Sequence, residues 1–352
     1  MAGTQSAASE RRLARAAEKR RQRLIIFGAL SGLAVVVLII GTGLYVTQYR
    51  APRAHVLSVG GRDYDAGAVA RRGAYDALYA GGLGGDTILS IAQQAVDVLG
   101  DDEVLRLRAP VTVGVVTERD VRLELAEGFG VADSNDESAF DEAAFNEALR
   151  DVLRVVGVSR DEYFEIVSAE MLARRLRDGF RAEIEPMAQQ IRLSRIRLTD
   201  PANAERVRHL ALEEDADFAE LTRENTADAG HRDDGGDLGW FTLSALGEAL
   251  DGVLNAAPDA DTASVVAELQ PGEIAPVVAS GIFFDIYMVT GREQDRDLDD
   301  GQIEQLVRRR FDAWVESERL LVQIDVDLSA GEARWIAERV GDQVSRALSA
   351  TR

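Results

Sequence analysis

A polar loop that ends in paired glycines carries the side chains most suited to contacting a ligand. Residues 217–241 read DFAELTRENTADAGHRDDGGDLGWF, in which the loop carboxylate and the apolar residues after the glycines are Asp228, Leu238, Trp240 and Phe241. Glycine adopts backbone angles closed to other residues, so the pair predicts a tight bend. The apolar run after it predicts a buried strand or turn. The chain has no GxSxG, HExxH or phosphate-binding loop, which argues against hydrolase and nucleotide chemistry.

In order and spacing, these 25 residues resemble the signature of the parvulin family of peptidyl-prolyl cis-trans isomerases. The resemblance implies an enzyme that rotates X–Pro bonds, whose uncatalysed barrier is about 18–20 kcal/mol. Because no bond breaks, such an enzyme needs no metal or cofactor. It needs an apolar socket for the proline ring and surroundings that favour the twisted amide. The alternative is a glycine-rich turn between a helix and a strand of an unrelated α/β domain.

The same resemblance implies which apolar side chains bind substrate. The three socket positions of the family fall on Leu238, Leu246 and Leu250, and the last two are neighbours on one helix face. The further aromatic contacts expected by this resemblance are Trp240, Phe241 and Phe284. Equally, the three leucines fit an ordinary hydrophobic core.

The polar positions depart from the family pattern, which has a histidine in the first strand and another in the last. Arg195 stands at the first position, and the second falls on Phe284 or Asp285. The three histidines of the chain, His55, His209 and His231, lie outside both strands. One hypothesis is that Asp228, Arg195 and Asp285 are catalytic, with Arg195 and Asp285 forming a charge-assisted hydrogen bond in place of the histidines. The other is a non-catalytic domain that only binds peptide.

The amino-terminal region predicts a membrane anchor. Residues 24–46 contain no charge and are long enough to cross a bilayer as a helix. Residues 1–23 carry seven basic and two acidic side chains, which predicts a cytoplasmic amino terminus and an extracytoplasmic remainder. A cleavable signal peptide is the alternative, but no convincing cleavage site follows the apolar segment. Gly28 and Gly32 form a small-xxx-small pattern that would permit a homodimer.

The charge and composition of the chain exclude several classes of binding partner. The net charge is −21 and residues 1–23 contribute +5, so the remaining chain carries −26. A surface this acidic argues against nucleic acid, which is bound through basic faces. The chain has no cysteine, which excludes disulfides and zinc–cysteine sites. Asp295, Asp297 and Asp299 lack the glycine and glutamate spacing of a calcium-binding EF-hand, so no metal is expected.

The order of predicted elements indicates an α+β protein with an inserted domain. It resembles SurA- and PrsA-type foldases, with a helical lobe at 53–187, a parvulin-like domain at 189–293 and a returning tail at 297–352. This resemblance implies small antiparallel sheets and pairing of strand 322–328 with strand 56–59. The expected function is a membrane-anchored foldase whose partners are unfolded or proline-containing exported polypeptides. A generic helical spacer is the alternative for the first lobe.

Overall fold

The computed structural model describes residues 33, 35–43, 45–79, 87–131, 140–247 and 260–350. The chain divides into two compact units, one comprising Met1–Leu172 with Glu318–Arg352 and the other Ala173–Ser317. Helices predominate, and the strands form two small antiparallel sheets. The prediction of an α+β fold is therefore confirmed.

The regular elements follow one another in this order: β1 (His55–Val59), β2 (Arg62–Asp65), α1 (Ala66–Tyr79), α2 (Ile88–Arg108), α3 (Pro110–Val113), α4 (Glu118–Gly128), α5 (Glu142–Val156), α6 (Arg160–Ala182), β3 (Met187–Leu198), α7 (Pro201–Ala211), α8 (Phe218–Asn225), β4 (Asp237–Thr242), α9 (Ala260–Glu268), β5 (Val278–Ser280), β6 (Phe283–Asp297), α10 (Asp300–Arg319), β7 (Ile324–Val326) and α11 (Ala330–Ala350).

The first unit is closed by its carboxy-terminal segment. Its sheet has the order β2-β1-β7, and Leu57 of β1 lies opposite Val326 of β7. The predicted pairing of the tail with the first strand is thus confirmed. Leu57 and Ile336 of α11 both lie in the buried core of this unit. Leu57 and Ile336, which are 279 residues apart in sequence, therefore belong to one core.

Capping residues set several helix ends in this unit. Thr117 and Asp120 form a reciprocal capping box at the start of α4. Ser159 and Glu162 do the same at α6, where the Glu162 carboxylate accepts the Ser159 amide at 2.9 Å. Gly157 ends α5 in the left-handed conformation that favours glycine. These local signals make the helix starts at 118 and 160 predictable from sequence.

The second unit has a four-stranded sheet of order β4-β3-β6-β5. One face packs against α7 and α8 through a helix-side cluster, whose buried members are Ile196, Leu198, Ala204, Val207, Ala211, Phe218 and Ile286. The other face carries what we call the Leu246 cluster, whose buried members are Ile191, Leu193, Leu246, Val266, Ala275, Tyr287 and Val289. Successive strand residues point to opposite faces, so each position on β3 and β6 is assigned to one side.

The predicted anchor at 24–46 lies only partly within the described residues, which include 33, 35–43, 45 and 46 of it. Within the part that is described, no helix is both long and apolar enough to span a membrane.

Candidate functional site

The double-glycine bend fixes the polar loop directly on strand β3. Gly236 has φ +81°, and its carbonyl accepts the Arg195 amide at 2.9 Å. A Cβ atom at Gly236 would lie 2.3 Å from the Arg195 carbonyl oxygen, closer than any side chain allows. Glycine is therefore required here for two reasons, the backbone angle and the close approach of two chain segments.

Further hydrogen bonds stabilise the loop, both within it and to strand β3. The Gly236 amide donates to the His231 carbonyl at 2.7 Å, and the Ala227 amide donates to the Arg197 carbonyl, also at 2.7 Å. The Arg232 guanidinium donates to the Thr226 carbonyl at 2.9 Å. Both ends of the loop are thus tied to β3, and the side chains between them occupy defined positions.

Asp228 lies at the junction of this loop and the sheet. Its carboxylate forms an ion pair with Arg195, whose side chain is only 4% exposed, and contacts His231 Nδ1 at 3.0 Å. Burial alone would raise the pKa of Asp228, but the hydrogen bonds from Arg195 and His231 outweigh it and lower that pKa. The loop carboxylate therefore remains ionised and is held on two sides.

The expected pair between Arg195 and Asp285 is wrong. Asp285 is fully buried and accepts two hydrogen bonds from Arg197, Nε to Oδ1 and Nη2 to Oδ2, both at 2.8 Å. The cause is strand register, because Arg197 lies opposite Asp285 while Arg195 lies opposite Tyr287. Bidentate hydrogen bonding to Asp285 raises the pKa of Arg197.

Tyr287 joins the two arginine–carboxylate pairs, a role that sequence reasoning missed. Its hydroxyl lies 3.4 Å from Asp285 Oδ2 and is hydrogen-bonded to Arg195, while its ring belongs to the Leu246 cluster. Burial, followed by the charge of Asp285, raises the pKa of Tyr287, so its hydroxyl keeps its proton. We call the connected set His231, Asp228, Arg195, Tyr287, Asp285 and Arg197 the polar chain.

The apolar candidates separate into different environments. Leu246 is 1% exposed and forms part of the core, as the alternative interpretation predicted. Leu238 and Phe241 are partly buried against the same cluster, so each keeps an accessible surface beside it. Leu250 lies outside the described residues. Of the three predicted socket leucines, the structure therefore brings Leu238 and Leu246 together.

Two aromatic candidates do not belong to the Leu246 cluster. Phe284 packs with the helix-side cluster on the opposite face of the sheet, because it precedes Asp285 on β6. Of the two residues considered for the last-strand position, Asp285 lies on the same side of β6 as Tyr287, and Phe284 lies on the opposite side. Trp240 packs over Gly291 and stacks against the Arg296 guanidinium, 4.4 Å from its ring centroid. Phe284 and Trp240 are therefore not part of the apolar cluster that contains Leu238.

Comparison with known protein families gives a match within the second unit. Residues 200–291 match the family described as "Rotamase: PPIC-type PPIASE domain". The matched segment includes Asp228, the paired glycines and Asp285, whereas Arg195 precedes it. No curated protein sequence matches the chain.

Solved structures with similarity to this chain include two peptidylprolyl isomerases named PrsA. The protein from Bacillus anthracis is 14% identical, with a TM-score of 0.38 over 71% of this chain and 95% of that chain. The protein from Bacillus cereus is 16% identical, with a TM-score of 0.39 over 72% and 90%. A structure described under SurA-like chaperones of Campylobacter jejuni is 12% identical, with a TM-score of 0.24 over 67% and 94%.

Proposed function

We propose that this chain, which carries a parvulin-type (PpiC-type) peptidyl-prolyl isomerase domain, is an extracytoplasmic foldase that isomerises X–Pro bonds of unfolded exported polypeptides. The observation that carries this proposal is the position of Asp228. It is ionised, partly exposed and held by Arg195, which reaches through Tyr287 to the cluster containing Leu238. A polar group and an accessible apolar surface are thereby connected within one small region.

Such a region suits amide rotation because the reaction breaks no bond. A proline ring would bind against Leu238 and Phe241, which replaces water around the ring with apolar contacts. The nearby charged groups would then favour the twisted amide, whose dipole differs from that of the planar ground state. Only this preference for the twisted amide accelerates the reaction.

The test is a measurement of prolyl isomerisation with the full chain and a short peptide such as Ala-Ala-Pro-Phe carrying a chromophore. We expect a rate above background that is proportional to protein concentration. The variant Leu238→Ala should abolish the acceleration, whereas Leu212→Ala, at an exposed leucine after α7, should not. A rate equal to background at every concentration would rule out the isomerase.

A second candidate is a chaperone that binds peptide without isomerising it. The observation that favours it is the burial of Asp285, whose carboxylate is occupied by Arg197 and is not accessible to a ligand. We expect this chaperone to suppress aggregation of a denatured client, with no loss in the variant Arg195→Ala. Failure to bind any unfolded chain would exclude both candidates.

The extracytoplasmic location is a further part of the proposal. It is supported by the uncharged segment 24–46 and by the excess of basic residues before it. The chain should remain with membranes after carbonate washing, and added protease should remove the acidic portion from intact spheroplasts. Recovery of the whole chain in the soluble fraction would contradict the anchor.

A further inference from the structure

His231 lies at the exposed end of the polar chain. Its side chain is 43% exposed, whereas those of Asp228 and Arg195 are 17% and 4% exposed. Burial thus increases from the loop towards the sheet, and Asp285 at the other end is inaccessible. Among these six residues, His231 is the one whose polar atoms a ligand reaches most readily.

The Asp228 carboxylate orients the imidazole of His231. Nδ1 lies 3.0 Å from Asp228 Oδ2, so its proton is directed towards that oxygen and Nε2 faces away from it. Asp237 also interacts electrostatically with the ring, and Arg195 lies on the far side of Asp228. Nε2 can accept from a peptide N–H in the neutral ring and can donate to a peptide carbonyl in the protonated ring.

Backbone hydrogen bonds fix the main chain of His231, and the contact with Asp228 holds its ring, before any ligand arrives. The His231 carbonyl accepts from the Gly236 amide at 2.7 Å, and Gly236 is itself fixed against Arg195. A polar group held in advance loses little conformational freedom when it binds a ligand. This separates His231 from an ordinary surface histidine such as His209, which is exposed in the last turn of α7.

We propose that Nε2 of His231 contacts the backbone of a bound proline-containing peptide and so supplies from the loop an imidazole that the two strands lack. This inference rests on the proposed peptide-binding function. It assigns to the loop the hydrogen-bonding role that the parvulin resemblance implies for the strands. Asp228 then acts as a positioning residue, because it orients the imidazole and anchors it to Arg195.

The test is nitrogen-15 NMR of the imidazole side chains in the full chain during titration with Ala-Ala-Pro-Phe. Three histidines give three pairs of imidazole nitrogen signals, and the pair lost in His231→Gln is that of His231. We expect Nε2 of His231 to shift as the peptide is added, with the His209 and His55 signals unchanged as internal controls. Fluorescence anisotropy with the labelled peptide should give an affinity about tenfold weaker for His231→Ala and an intermediate value for His231→Gln.

Thermal unfolding of both variants should stay cooperative, with only a small fall in Tm from the lost contact with Asp228, which excludes loss of the fold as the cause of weaker binding. If the peptide binds but the His231 signal does not move and the affinity of His231→Ala is unchanged, the inference is overturned while the proposed function stands. If the unchanged chain binds no peptide, both are overturned. The control variant His209→Gln should bind like the unchanged chain.

Discussion

Arg197 and Asp285 face each other across neighbouring strands and share two hydrogen bonds of 2.8 Å, with the carboxylate fully buried. A buried carboxylate is tolerated because the guanidinium supplies both the charge and the donors that water would otherwise provide. The pair therefore links β3 to β6. It also holds the Asp285 carboxylate next to the Tyr287 hydroxyl.

Removing one member of this pair should destabilise the protein. We expect Asp285→Ala to lower the free energy of unfolding by about 3–5 kcal/mol, because Arg197 keeps a partly buried charge without its partner. Denaturant unfolding followed by circular dichroism measures the change. The control Asp233→Asn removes an exposed loop carboxylate and should change stability little. Equal midpoints for Asp285→Ala and the unchanged chain would show that the pair contributes no stability.

Gly236→Ala should disturb the loop more than Gly239→Ala. Both positions have φ above +80°, so both substitutions incur the left-handed backbone cost of about 1–2 kcal/mol. Only at Gly236 would the new methyl group also meet backbone atoms, since a Cβ atom at Gly239 has open space around it. Unfolding midpoints of the two variants measure the difference. Similar losses at the two sites would mean that close approach of the loop to β3 is unimportant.

Leu246 and Leu238 should respond differently to truncation. Leu246→Ala leaves a cavity in the core and should cost about 2–5 kcal/mol of stability. Leu238→Ala removes a partly exposed side chain, so its larger effect should be on peptide affinity, measured by anisotropy. A Leu238→Ala variant that unfolds like Leu246→Ala and still binds peptide normally would show that both leucines serve the core alone.

Local patterns predicted the elements of this protein, whereas long-range register determined its polar contacts. The capping box at Ser159 and Glu162 predicted the start of α6, and the alternating residues before α11 predicted a strand. The partner of Asp285 could not be deduced from the sequence, since β3 and β6 shift register between Arg192 and Leu193. A one-residue slip exchanges the two faces of a strand, so no spacing rule pairs the arginines with their carboxylates.

The contact between His231 and Asp228 could not be predicted from the sequence for a similar reason. Its position next to Asp228 depends on how the loop folds back onto β3, which involves backbone bonds to Gly236 and Arg195. Neither strand contains a histidine, whereas the loop carries one three residues after the carboxylate. The useful signal was the presence of both residues before the paired glycines.

The contribution of Asp228 to stability should depend on pH in a defined direction. Its pKa is lowered in the folded protein, so the folded state favours the ionised carboxylate more than the unfolded state does. This stabilisation is fully present above the ordinary aspartate pKa of about 3.9 and is lost as the pH falls through the lower folded value.

Asp228→Asn lacks the ionised form at every pH. The difference in Tm between the unchanged chain and Asp228→Asn should therefore be largest near neutral pH and should shrink as the pH falls below about 4. Thermal unfolding between pH 7 and pH 3 measures this, with Asp215→Asn, at an exposed carboxylate after α7, as the control. A difference that stays constant, or grows, towards pH 3 would contradict the ion pair with Arg195 as the source of the stabilisation.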